Sequence, residues 1–109
     1  MSFDMNKLME QAAQMQEQVQ RMQEDAVKEV AESSVGGGMV KVTANGAGRV
    51  LSIDIAADAI DPSDPEALSD LVLAGVNEAL RSASAKVEAK AQQMQSELLG
   101  GLGLPGVGE

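Results

Sequence analysis

From Pro65 to Leu98 the chain runs 34 residues without a further proline, carrying Leu68, Val72, Val76, Ala79, Ala83, Val87, Ala91, Met94 and Leu98 at helical spacing. A helix of that length spans about 50 Å at 1.5 Å per residue, whereas a compact globule of this size has a radius of gyration of about 13 Å and a diameter of about 34 Å. The helix must protrude, and an amphipathic helix that outruns its own sheet still has an apolar stripe to bury. A two-fold homodimer is the simplest closed solution. The start of the helix is well marked: Asp64 suits the N-cap, Pro65 the first helical position, and Glu66 the positive end of the dipole. Gly75, Ser82 and Ser84 mark places where it could kink or divide. Gly100-Gly101 should end it, so residues 1–99 read as a single domain and 100–109 as a Gly-rich disordered tail.

A second helix is predicted at the other end. Asp4 to Val27 holds neither Gly nor Pro and is rich in Gln, Glu, Met and Ala. Its apolar positions Met5, Leu8, Ala12, Met15, Val19, Met22 and Ala26 alternate spacings of three and four, the period of a coiled-coil seam. Such a seam takes either a partner helix, which makes these residues a candidate dimer interface, or the domain's own sheet.

Between the helices lie three short extended segments. Lys28 to Val35 reads as a weak strand broken by Gly36-Gly37-Gly38. Met39 to Ala44 alternates, with Val40, Val42 and Ala44 on one face, and Arg49 to Ile55 alternates with Leu51, Ile53 and Ile55 together. Asn45-Gly46-Ala47-Gly48 joins these two as a hairpin. The prediction is an α+β fold: long N-terminal helix, three-stranded antiparallel meander, long C-terminal helix, with one apolar face of the sheet covered by a helix.

Composition then removes whole classes of function. The 109 residues include no Cys, His, Trp or Tyr, so thiolate nucleophiles, imidazole bases and the usual zinc ligands are absent together. No catalytic residue is assigned, and neither a cofactor nor a small-molecule substrate is expected. Phe3 is the single aromatic residue, which excludes the stacking platforms of RNA-recognition and single-strand-binding modules. Asp54, Asp58, Asp61 and Asp64 lack the spacing of a cation-binding loop, and no metal site is predicted. The glycine runs have neither dinucleotide nor P-loop spacing. No apolar stretch approaches the ~20 residues of a membrane span, and MSFDMNKLMEQ has no basic leader followed by an apolar block, so a cytoplasmic protein is expected.

The order of elements and the residues that carry it resemble a known family. NKLMEQAAQMQEQVQRMQ, GMVKVTANG, RVLSIDI and DPEALSDLVLAGVNEALRSASAKVEAKAQQM are similar to the YbaB/EbfC family of bacterial nucleoid-associated proteins, over roughly residues 5 to 98. The resemblance implies a small tweezer-like homodimer of projecting helices that binds duplex DNA with little sequence preference and is associated with the nucleoid. Carried over by position, the implied DNA-binding bases are Lys7 and Arg21 on the first helix, and Arg81, Lys86 and Lys90 on the last. The chain departs from the family pattern at Gln14 and Gln18, where relatives often carry Lys, and in its net charge of −9.

Charge spacing supplies two opposed readings. Lys7, Gln14, Arg21 and Lys28 recur every seven residues and form one line on the first helix that could follow phosphates. Glu10, Glu17 and Glu24 recur in step, so Lys7–Glu10, Glu17–Arg21 and Arg21–Glu24 can pair along the helix and screen that line. On the last helix Glu78 is within pairing reach of Arg81. Lys86 and Lys90 share one turn while Glu88 points away, so this spot looks the least cancelled by its own helix. The resemblance, more than this charge pattern, makes duplex DNA the first expected partner. The alternative is a dimeric scaffold that holds a protein partner through its helical seams or acidic surface, with DNA binding weak or lost.

Overall fold

The computed structural model describes residues 4–101, so the predicted disorder of the tail from Leu102 onward falls outside the described residues. Helix α1 spans Met5–Lys28. Asp4 caps it by accepting hydrogen bonds from the backbone N–H groups of Asn6 and Lys7 at 3.1 and 3.3 Å, two of the donors that a helix start leaves unpaired. Strands β1 (Val30–Val35), β2 (Val40–Asn45) and β3 (Val50–Ile55) follow, in sheet order β1-β2-β3 and antiparallel throughout. The β1–β2 turn is built from Gly36, Gly37 and Gly38 at φ of 63°, 67° and 91°, a run that side-chain-bearing residues rarely sustain. A short 3-10 turn at Ala57–Ala59 leads to helix α2, Pro65–Gly101, which Asp64 caps through the N–H of Ala67 at 3.2 Å.

Helix α2 is continuous for 37 residues and passes Gly75, Ser82 and Ser84 without dividing. Gly75 serves packing. A Cβ there would lie 2.9 Å from Val42 Cγ2, so the missing side chain is what lets the helix backbone settle on the sheet. Ala79 and Ala83 continue that contact at four-residue intervals and are fully buried. The core is therefore thin: Val40, Val42 and Ala44 below, Ala79 above, with Val35, Val50, Leu68, Leu71, Val72, Val76 and Leu80 around them. Ser33 is also buried, and its hydroxyl donates to the Gly75 carbonyl oxygen at 2.6 Å.

The alternation read in β3 needs one correction. Ala44 pairs with Val50 and Thr43 with Ser52, so Leu51 is an extra residue at a bulge, and Val50 packs against the core where Leu51 was expected to share the face of Ile53 and Ile55. Ile53 and Ile55 stand opposite Val42 and Val40, yet both remain exposed because α2 lies over β1 and β2 and barely reaches β3. The opposite face of the sheet is polar, with Glu32 beside Thr43 and Ser52, and Ser34 beside Lys41 and Asp54.

Beyond the sheet the chain is extended. Its radius of gyration is 21.1 Å and its extents are 76 × 34 × 17 Å, against about 13 Å for the radius of a compact chain of this size. The protrusion expected from helix length is thus present in both helices, since α1 buries no residue at all. Among the described residues, no helix is long and apolar enough to cross a membrane.

Candidate nucleic-acid interface

Among the described residues, helix α1 meets the other elements near its C-terminal end. There Gly46, in the β2–β3 turn, donates its N–H to the Glu29 carbonyl at 2.8 Å. A Cβ on Gly46 would run into Val87 and would lie 2.8 Å from the Ala26 carbonyl, so both helices close on this one glycine. The two helices border a shallow apolar groove whose lining includes Met22, Ala26, Val87, Ala91 and Met94, with Asp25, Glu29 and Lys90 at its rim. N-terminal to it, the seam positions Met5, Leu8, Met15 and Val19 are 50–67% exposed and Ala12 is exposed with them, while Met22 is half exposed at the edge of the groove. The alternative reading of the seam, in which it packs on the chain's own sheet, is thereby removed.

The five candidate bases do not form one cluster within a single chain. Lys7 and Arg21 sit on α1 fourteen residues apart, about 21 Å along the axis. Arg21 pairs with Glu17 at 2.9 Å, both side chains well exposed, while the Lys7–Glu10 and Arg21–Glu24 pairs that spacing allowed are not formed. Lys7 and Arg81 are exposed and make no ion pair among the described residues; Glu78 leaves Arg81 free.

Lys86 and Lys90 are placed differently from the sequence expectation. Within α2 alone they are the basic spot least cancelled by acids. In the fold both turn onto the junction between α1 and β1. Lys86 Nζ donates to the Val30 carbonyl at 2.7 Å, and Lys90 Nζ donates to Glu29 Oε1 at 2.9 Å. The bond to Glu29, and then the charge of that carboxylate, raise the Lys90 ammonium above the ordinary lysine range, with Asp25 adding a smaller push. Glu29 and Val30 were not singled out in the sequence, and nothing local could have done so, since the contacts span 61 and 56 residues. The remaining bases lie elsewhere: Lys28 ends α1, Lys41 stands opposite Asp54 on the polar sheet face, and Arg49 begins the run into β3.

A nucleoid-associated protein of Thermoanaerobacter pseudethanolicus is 43% identical over 105 residues, covering 96% of this chain and 91% of the relative. Others, also described as nucleoid-associated, come from Pelotomaculum thermopropionicum (42% identical, 98% of both chains) and Moorella thermoacetica (45% identical, 94% of this chain and 95% of the relative). Among solved structures, a Helicobacter pylori protein described as uncharacterized shares the fold with a TM-score of 0.69 at 22% identity, over 86% of this chain and 99% of that one. The profile of the YbaB/EbfC DNA-binding family matches residues 1–98. With that span and those relatives, the chain belongs to the YbaB/EbfC DNA-binding family.

Proposed function

We propose that the protein acts as a homodimer that binds duplex DNA through its backbone, with little sequence preference, and is a component of the nucleoid. The observation that carries this reading is the family match over residues 1–98. Its dimeric form is supported by the seam of α1, where Met5, Leu8, Ala12, Met15 and Val19 are left uncovered by the described residues and Met22 is still half exposed at the edge of the groove. Lys7, Arg21, Arg81, Lys86 and Lys90 are the proposed phosphate contacts. Lysine and arginine on helix surfaces neutralise phosphates and position a protein on the duplex without reading bases. Lys7 and Arg81 are ready to do so, whereas Arg21, Lys86 and Lys90 must first exchange an acceptor within the chain. Binding should accordingly be modest and steeply dependent on salt. No catalytic role is assigned.

Fluorescence anisotropy with two duplexes of unrelated sequence, each at two salt concentrations, tests the reading. Similar affinities for both are expected, with log K falling against log salt at about −0.9 per neutralised phosphate. Absence of binding at low salt would transfer first place to a scaffold holding a protein partner, a reading favoured by the net charge of −9.

A further inference from the structure

The bonds of Lys90 and Lys86 single out one place in the fold. Glu29 directly follows α1, and its carboxylate holds the Lys90 ammonium at 2.9 Å; one residue on, the Val30 carbonyl holds Lys86 at 2.7 Å. A carboxylate oxygen at that distance from an ammonium occupies the seat a phosphate oxygen would take, with the same charge-assisted geometry. The Lys90 side chain is 53% exposed and that of Glu29 25%, so the pair is open to exchange with an anion from solution. Lys86 is exposed as well.

We propose that Glu29 is a built-in competitor of the DNA phosphate for Lys90, an autoinhibitory contact that sets how tightly the last helix grips a duplex. The inference rests on the reading that Lys90 contacts DNA backbone. In the free protein Glu29 neutralises Lys90; on the duplex a phosphate displaces it. The carboxylate then carries unpaired charge beside the polyanion. Each protomer thus gives up one exposed ion pair on binding, and affinity is held below what the number of bases would supply.

Glu29→Gln removes the competitor's charge and keeps its shape. Because any loss of an acid favours DNA, the control is Glu32→Gln, which removes one charge three residues away on the polar face of β1, opposite Thr43. Anisotropy titration of a duplex is expected to show Glu29→Gln binding about 1.4- to 5-fold tighter per protomer than Glu32→Gln, the range that opening an exposed ion pair costs. The salt slope should be the same for both variants, because Lys90 neutralises one phosphate in the complex of either. In a Lys90→Gln background the difference between the two substitutions should vanish. Equal affinities for Glu29→Gln and Glu32→Gln in a protein that binds DNA would overturn the competition while leaving the DNA reading intact. A gain that survives in the Lys90→Gln background would overturn it too. Failure of the unmodified protein to bind any duplex at low salt would instead remove the reading on which the inference rests.

Discussion

The two helices of this protein solve the same problem in different ways. The first half of α2 is seated on the sheet through Gly75, Ala79 and Ala83, which remove side-chain bulk so that backbone and sheet approach closely. Helix α1 carries larger apolar groups at regular seam spacing and buries none of them. Apolar content by itself therefore did not decide which helix became core; the decisive feature was whether its stripe matched the flat surface of a three-stranded sheet. Small residues suit a sheet face at short range, whereas Met, Leu and Val at heptad spacing suit a second helix.

The sharpest way to break this contrast is to place a charge in the α1 seam. Met15→Asp or Val19→Asp buries a carboxylate without a partner wherever the seam is covered, at a cost of at least about 2 kcal/mol per copy. Two copies raise the dimer dissociation constant by roughly a thousandfold. Because neither residue touches the core, hydrogen exchange of the β2 amides should stay as slow as in the parent. If the variants dimerise unchanged, the seam is not the interface.

Next in size is Gly75→Val, which drives a branched side chain into Val42 and Val35. Overpacking of this kind costs about 3 kcal/mol, at the upper end of its usual range, and denaturant unfolding should show it as a lowered midpoint. A neutral result would mean that α2 does not lie this close to the sheet. Ser33→Ala tests the same contact more gently. It removes the hydrogen bond to the Gly75 carbonyl, for an expected loss of about 1 kcal/mol by the same measurement.

Much of this architecture was legible in the residues. The alternation of Val40, Val42 and Ala44 identified the buried face of β2, and Asp64-Pro65-Glu66 located the start of α2, since both signals are local. Helix length alone announced the protrusion. The bulge at Leu51 was hidden because register is a property of two strands, and alternation was read along one. Gly75 read as a weakness in the helix, although its reason lay in Val42, far away in sequence. The candidate basic site was the least legible part: the resemblance, with their four-residue spacing, pointed to Lys86 and Lys90, but their acceptors come from the α1–β1 junction, which no pattern within α2 could disclose.

The smallest expected effect lies at the approach to α2. Ser63 donates both its hydroxyl and its backbone N–H to Asp61 Oδ1, at 2.6 and 2.9 Å, and these bonds hold the Asp61 carboxyl below the ordinary aspartate range. The folded value is depressed, so this turn's contribution is present above the unfolded pKa and is lost as pH falls through the folded one. Titration of the Asp61 carboxyl carbon by NMR should show the depression, and Ser63→Ala should move the value back up. An unchanged titration would mean that the hydroxyl bond is not made in solution.

The comparison of the two helices rests on one claim, that a second copy of the chain covers what α1 leaves bare. Sedimentation equilibrium of the full chain at micromolar concentration tests it directly. A single species of about twice the 11.3 kDa chain mass is expected, and a species at 11.3 kDa across that range would mean that no second copy covers α1.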